Sequence, residues 1–230
     1  MLVAGKRLLV AGVVSETSTA SRVARLATQQ GATVVLASPG GEALSPARRV
    51  ATRLPGSPPV VELDTTCAED LAALADRLAP HVDGLDGVLH VVSCPPARAL
   101  GAGLLGTSWT DVGAALQAGT WAYAALAHAC TPLWAPSASY VGVLADAAPD
   151  GPAGWTGVAR AGLESANRYL ARDLGPRGVR VNLVATDRIT TSAPDAGTVA
   201  RACVALLSDW FPRTTGSVVH VDGSLGADAA

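Results

Sequence analysis

Five residues that could carry acid–base or electrostatic chemistry lie beside predicted elements in the second half of the chain. Asp146 follows a predicted strand, Trp155 and Arg160 lie in the first turns of a predicted helix, and Asp187 and Arg188 follow another strand. A carboxylate in such a place can act as a general base, and a guanidinium can stabilise an oxyanion. A loop aspartate such as Asp146 is also a common turn former, so its residue type leaves both roles open.

The pattern of apolar residues predicts the elements that position these side chains. Seven short aliphatic runs alternate with stretches that carry apolar residues at helical spacing. This alternation predicts an α/β fold, a doubly wound parallel seven-stranded Rossmann-type sheet with helices on both faces, which binds ligands at the carboxyl ends of its strands. The predicted strands are 7–12, 32–38, 58–64, 85–93, 137–145, 179–185 and 216–223, and the predicted helices are one between Ser15 and Gly31, then 46–54, 68–78, 110–130, 157–174 and 198–206.

Composition and charge exclude several classes of protein. The 230 residues are 49% hydrophobic with a net charge of −2, which predicts one Rossmann-fold domain over residues 1–230. There is no basic run for nucleic acid or an anionic membrane surface, and no apolar stretch long enough to span a bilayer. The amino terminus lacks the order of a signal peptide, which predicts a cytoplasmic protein. The four cysteines lack the spacing of a zinc site or a disulfide framework, so no metal is predicted.

The turn after the first strand is where a dinucleotide fold would hold phosphate. The G-x-G-x-x-G fingerprint is absent, since Gly12 is its only glycine. Gly12, Ser18 and Thr19 nevertheless place a close-approach glycine and two hydroxyls at a helix N-terminus, where backbone N–H groups can bind an anion. A hydroxyl-rich N-cap that binds no ligand would have the same pattern.

Segments along nearly the whole chain resemble the enoyl-acyl-carrier-protein reductases, divergent short-chain dehydrogenases/reductases, and among them the actinobacterial branch. Gly12, Ser18 and Ala20 match the stretched G-x5-S-x-A pattern of their first turn, and the similarity continues through "LDGVLHVVS", "LESANRYLARDLGPRGVRVNLVA" and "ALLSDWFPRTTGSVVHVDG". The resemblance implies an NAD(H) site. It implies that the pyrophosphate turn consists of Gly12, Val13, Ser18 and Thr19, and that the pair that meets the adenine is Asp64 and Thr65. The segment under the riboses would be Val91, Val92 and Ser93. Arg160 would stand in place of the lysine that holds the nicotinamide ribose, and Ile189 would be the apolar residue beside the nicotinamide.

Several residues depart from the pattern of that family. Ala153 replaces the tyrosine that donates to the developing enolate oxygen, and the spacing of ordinary superfamily members would place this tyrosine at Thr156. Arg160 keeps the charge of the family lysine, but its planar fork has a different geometry. Asp187 and Arg188 stand where the family has glycine and proline. Only a short stretch then remains where the family inserts two helices that cover the acyl chain.

Three functions stay open from the sequence. The first is a reductase that uses NAD(P)H with substitute acid groups. The second is a repurposed non-redox enzyme of secondary metabolism, such as a cyclase, lyase or isomerase, and the third is a pseudoenzyme that binds the cofactor or a partner reductase. The replaced residues favour the second or third over reduction of a fatty enoyl thioester, with a small molecule as substrate. The candidate catalytic residues are Arg160, Asp146, Asp187, Arg188 and Trp155, although Trp155 also matches a family tryptophan that could serve packing alone.

An oligomer is predicted from two helices. The family pairs the elements that correspond to 110–130 and 157–174 between subunits, and both stretches have apolar faces here. We therefore predict a homotetramer or homodimer in which these faces meet, through Val112, Ala115, Leu116, Tyr123, Leu126, Leu163, Ala166 and Leu170.

Overall fold

A seven-stranded parallel sheet forms the centre of the computed structural model, which describes residues 1–92, 104–145, 154–186 and 196–221. Its strand order is β3-β2-β1-β4-β5-β6-β7, and every neighbouring pair is parallel. The predicted doubly wound Rossmann-type sheet is thereby confirmed. The strands are β1 (Arg7–Ala11), β2 (Thr33–Ser38), β3 (Val60–Glu62), β4 (Leu85–Val91), β5 (Trp134–Ala145), β6 (Arg180–Thr186) and β7 (Val218–His220).

Helices cover both faces of the sheet because the strand residues alternate between two apolar cores. Leu8 and Val10 of β1 belong to one core, and Leu9 and Ala11 to the other. No helix within the described ranges is both long and apolar enough to cross a membrane. The first core packs α1 (Thr19–Gln29), α2 (Leu44–Thr52) and α7 (Ala196–Leu207), and the second packs α3 (Ala68–Leu78), α5 (Ala122–Ala129), which α4 (Trp109–Leu116) precedes, and α6 (Gly154–Leu174).

The helix predicted over 110–130 is interrupted by a wider turn. Gln117–Trp121 form a π-helix between α4 and α5, a feature often found at functional sites. Within it, the Thr120 hydroxyl donates to the carbonyl of Ala159 at 2.9 Å. A Cβ added at Gly119 would lie only 3.3 Å from the Ala159 methyl group. The π-helix therefore brings the backbone of this segment close to the first turns of α6.

A buried cluster of hydrogen-bonded aromatic side chains lies between the sheet and helices α5 and α6. His90 Nδ1 is 3.2 Å from the Tyr140 hydroxyl, which donates to the Tyr123 carbonyl at 2.8 Å. The Tyr123 hydroxyl donates to Asn167 Oδ1 at 3.1 Å, and its ring stacks on that of Tyr140. A Cβ at Gly142 would come 2.6 Å from the Tyr123 ring. Burial raises the pKa of both phenols well above the usual value, so they stay neutral core groups.

We expect the stability of the fold to fall between pH 7 and pH 5 because of His90. Complete burial lowers the pKa of His90 from 6.5 to about 4. The unfolded chain therefore takes up this proton first as the pH falls, and the stability that is complete above about pH 6.5 is lost toward the folded pKa. The expected loss in free energy of unfolding at pH 5 is about 2 kcal/mol. Urea unfolding at the two pH values measures it.

His90→Gln is the variant that isolates this titration. It keeps a polar side chain but removes the proton site, so its stability should be lower overall and nearly flat between pH 7 and pH 5. His128 is exposed on α5, and His128→Gln should keep the wild-type pH dependence. Undiminished pH dependence in His90→Gln would contradict the assignment.

The apolar side chains predicted to join two subunits are largely buried within one chain. Val112, Ala115, Tyr123, Leu126 and Leu163 are each at most 3% exposed, because the chain packs them against its own sheet and helices. The prediction that these five side chains contact a second copy is therefore wrong. Leu116, Ala166 and Leu170 are partly buried. The large apolar side chains that these helices do expose are Trp109, Trp121, Val158 and Tyr169.

Candidate functional site

The first turn leaves the carboxyl end of β1 in close contact with β4. Gly12 has φ +96°, and a Cβ there would lie 2.9 Å from the Val91 carbonyl oxygen. Any side chain at this position would push the turn away from β4, which accounts for the glycine; its approach to a bound phosphate stays a prediction. The amides of Gly12 and the buried Val13 both donate to the Ala37 carbonyl of β2, at 3.2 and 3.3 Å. These contacts fix the turn against the carboxyl ends of β1, β2 and β4.

The hydroxyls after this turn cap helix α1. Ser18 Oγ accepts from the Ser21 amide at 3.3 Å and donates to the Ser15 carbonyl at 2.9 Å. The N-cap that the hydroxyl pattern predicted is confirmed, and the Ser18 hydroxyl is used for these hydrogen bonds. Thr19 and Ala20 begin the helix, and no acceptor for their amides is found in the part of the chain that the structure describes. These two N–H groups at the helix N-terminus are available to an anion.

The loop after β3 contains the pair predicted to meet an adenine, Asp64 and Thr65. Asp64 Oδ1 accepts from the amide and the hydroxyl of Thr66, at 2.8 and 2.7 Å, which is a turn-forming role. The Asp64 amide donates to the Asp70 carboxylate at 2.8 Å, and this bond lowers the pKa of Asp70. Gln117 of the π-helix donates to the Thr66 carbonyl at 3.0 Å. The loop is thus fixed from two sides, and its contact with an adenine stays a prediction.

The first turns of α6 hold two of the candidate catalytic residues. Trp155 Nε1 donates to the Leu104 carbonyl at 3.3 Å, and this contact favours a packing role for Trp155 over a catalytic one. Arg160 Nε lies 3.6 Å from Glu164 Oε1, one turn further along the helix. Thr156, which the sequence marked only as the position of the ordinary superfamily tyrosine, has a buried hydroxyl with no hydrogen-bond partner among the described residues. It is the polar group at this end of α6 that remains to be satisfied.

The other predicted site residues lie outside the described residues. They are Ser93, Asp146, Asp187, Arg188 and Ile189, together with Ala153. Val92, the last described residue after β4, is buried and donates its amide to Val143 of β5 at 3.1 Å. Within the described ranges, no group of three His, Cys, Asp or Glu side chains could hold a metal ion. The structure brings the first turn, the β3 loop and the end of β4 to one edge of the sheet, and α6 packs beside them against the π-helix.

All three tyrosines and the single lysine of the chain have defined places. Tyr123 and Tyr140 are fully buried in the aromatic cluster. Tyr169 is 59% exposed on α6, about 20 Å along the helix from its first turn. Lys6 precedes β1 at the amino edge of the sheet, with its Nζ 2.8 Å from Asp209. None of these four side chains lies at the edge where the strands end.

Two comparisons with other enzymes span almost the whole chain. The NADH enoyl-acyl-carrier-protein reductase of Mycolicibacterium smegmatis is 34% identical over 261 residues, which covers 96% of each chain. The corresponding enzyme of Mycobacterium avium is 33% identical over 259 residues, with the same coverage of both chains. Because this chain has 230 residues, at least 31 of the 261 compared positions of the first relative have no counterpart here.

The family is shown by a further match and by the fold. Residues 12–198 match the family described as enoyl-(acyl carrier protein) reductase. A more distant relative, the NADH enoyl-acyl-carrier-protein reductase of Aquifex aeolicus, is 27% identical over 247 residues, with 96% of this chain and 91% of the relative covered. The parallel seven-stranded sheet and the glycine turn against β4 agree with these similarities. The chain therefore belongs to the enoyl-acyl-carrier-protein reductase family of the short-chain dehydrogenases/reductases.

Proposed function

We propose that this chain binds NAD(H) at the carboxyl ends of the strands, called here the strand-end edge. We further propose that it is a repurposed enzyme of secondary metabolism that acts on a small polar molecule. The observation that carries the proposal is the placement of its tyrosines and lysine. Two phenols are buried in the core, the third lies far along α6, and the lysine is at the opposite edge of the sheet. No phenol or ammonium is therefore available to protonate or hold a developing enolate oxygen.

The first turn fits a dinucleotide. Gly12 lies against Val91 in the turn after β1, which is where dinucleotide folds place the pyrophosphate. The amides of Thr19 and Ala20 at the N-terminus of α1 can hold its charge. NADH supplies a hydride when it is bound, as the printed names of the mycobacterial relatives imply for those enzymes. On this chain, Arg160 would hold the nicotinamide ribose, since it stands at the position of the family lysine and keeps its positive charge.

The substrate side supports a small ligand. β6 ends at Thr186 and α7 begins at Ala196, so nine residues connect them. Two covering helices of the kind expected in this family need more residues than this, and at least 31 positions of the Mycolicibacterium relative are absent here. A long acyl chain without a cover would remain in contact with water. Arg160 or Arg188 would then serve as the oxyanion partner, and Asp146 or Asp187 as the base.

Ligand binding and turnover, measured on the same protein, test the proposal. Native mass spectrometry of the purified chain with added NADH should show one dinucleotide bound per subunit. Mixing that complex with crotonyl thioester should then oxidise NADH far more slowly than is typical of the family. Failure to bind NADH would contradict the cofactor part of the proposal, and turnover typical of the family would contradict the repurposing.

We also propose that the exposed apolar side chains of α4 to α6 form a homodimer or homotetramer. Trp109 is 77% exposed and Trp121 46%, and Val158 and Tyr169 of α6 are exposed as well, so these helices offer large apolar side chains to a second copy. In sedimentation velocity at micromolar concentration, the wild type should therefore be oligomeric, and the double variant Trp109→Asp, Trp121→Asp should dissociate at least about tenfold more readily. Trp210, 73% exposed beyond α7, gives the control Trp210→Asp, which should leave assembly unchanged. A monomeric wild type would contradict the proposal.

A further inference from the structure

The loop after β2 lacks the acid that usually meets the adenosine ribose. In dinucleotide folds, an Asp or Glu about 20 residues beyond the glycine turn accepts a hydrogen bond from the ribose 2′-hydroxyl. Here β2 ends at Ser38, and Pro39, Gly40 and Gly41 follow. The Ser38 hydroxyl donates to the Ala43 carbonyl at 2.9 Å, so it is used within the loop itself. Neither a carboxylate nor a basic group comes from the end of this strand.

A carboxylate from the neighbouring strand lies over this loop instead. Glu62 ends β3 and is paired in register with Ser38. Its side chain passes across Gly40, since a Cβ added at that glycine would lie 2.5 Å from Glu62 Cδ and collide with Oε1. Gly40 thus leaves the space that the carboxylate occupies, and a methyl group added there would shift the carboxylate.

The charge of Glu62 is also left available. Glu62 is exposed, and within the described ranges its carboxylate forms no ion pair. Glu16, the acid on the first turn, differs in this respect, because it pairs with Arg49 of α2 and with Arg53 directly after that helix. Arg49 and Arg53 thus share the single carboxylate of Glu16, whereas no ion pair among the described residues offsets the charge of Glu62.

We infer that Glu62 selects NADH over NADPH, an inference that rests on the proposed dinucleotide site. From β3, its carboxylate reaches the place at the end of β2 that the missing acid would occupy. There it can accept a hydrogen bond from the 2′-hydroxyl of NADH. The 2′-phosphate of NADPH would instead meet a like charge. Selection is thus made by a residue of the neighbouring strand, with Gly40 leaving the space for it.

Calorimetric titration of the full chain with NADH and with NADPH tests this role without measuring activity. The wild type should bind NADH at least tenfold more tightly, which is about 1.4 kcal/mol. Glu62→Gln keeps the shape but loses the charge, and the ratio of the two dissociation constants should fall to threefold or less. Glu42→Gln is the matched control, because Glu42 is exposed on the same loop and should leave the ratio unchanged.

Gly40→Ala supplies a second variant, because the added methyl group must displace the Glu62 carboxylate. The ratio of the NADPH and NADH dissociation constants should fall, as in Glu62→Gln. Thermal unfolding of the variant shows whether the fold is retained. The inference would be overturned if the ratio of the NADPH and NADH dissociation constants were unchanged in Glu62→Gln, or if the wild type bound NADPH more tightly than NADH. Either result would still support the proposed dinucleotide site. Binding of neither dinucleotide would overturn both.

Discussion

The wild-type protein is expected to reduce crotonyl and longer enoyl thioesters at least about 10⁴-fold more slowly than its Mycolicibacterium relative. Loss of a positioned acid alone costs ~10²–10⁴ in rate. Loss of the groups that orient the acyl chain adds to this cost, because positioning contributes separately to the barrier. The expected rate loss follows from the places of Tyr123, Tyr140 and Tyr169, none of which reaches the strand-end edge. NADH absorbance, followed with each thioester, measures the rate.

Two variants show whether the missing phenol and ammonium account for the slow rate. Ala153→Tyr combined with Arg160→Lys restores the side chains expected at the two family positions, and it should raise the rate measurably with crotonyl thioester. Tyr169→Phe removes the one exposed phenol of the chain and should change nothing. A wild-type rate comparable with that of the relative would contradict the prediction. A rate that disappears in Tyr169→Phe would show that this distant phenol acts after all.

Once a native substrate is found, the charged residues after β6 distinguish an enzyme from a pseudoenzyme. Asp187 and Arg188 are the residues proposed as base and oxyanion partner. Loss of that activity in Asp187→Asn or Arg188→Ala, with folding intact, would support a repurposed pocket. Unchanged activity in both would instead transfer these roles to Asp146 and Arg160.

The sheet and the glycine turn could be predicted because local residue types determine them. A strand buried on both faces needs a mostly aliphatic or β-branched run, and "RLLVA" is such a run after its arginine; "RVNLVAT" follows the same pattern but also buries Arg180, Asn182 and Thr186. Gly12 could be singled out as the one glycine of the first turn, and the structure adds the physical reason, a positive φ against the end of β4. Boundaries taken from these patterns lie within three residues of the observed strands and helices.

Other features depend on which surfaces meet, and no local pattern contains that information. The apolar stripes of α4 to α6 would look the same whether they faced another subunit or the chain's own core, and Tyr123 and Leu163 face the core. The π-helix is stabilised by contacts of Gly119 and Thr120 with Ala159, which is about 40 residues away in sequence. The approach of Glu62 to Gly40 likewise arises only when β2 and β3 pair in register. Sequence spacing predicts elements, whereas these contacts come from tertiary packing.

NADH is expected to bind about a hundredfold more weakly here than to the Mycolicibacterium relative. Arg160 stands at the position of the family lysine, and its guanidinium lies beside Glu164, so the ribose loses a compact charged donor. One or two such hydrogen bonds are worth roughly 2–4 kcal/mol, or on the order of a hundredfold in affinity. Calorimetry on the wild type and on Arg160→Lys measures the difference, and the lysine variant should bind at least tenfold more tightly. Glu164→Gln, which removes the negative charge beside the guanidinium but keeps arginine, should recover only part of that gain. A wild-type dissociation constant in the low micromolar range, unchanged by Arg160→Lys, would contradict the prediction and show that the backbone of the first turn holds the dinucleotide without help from α6.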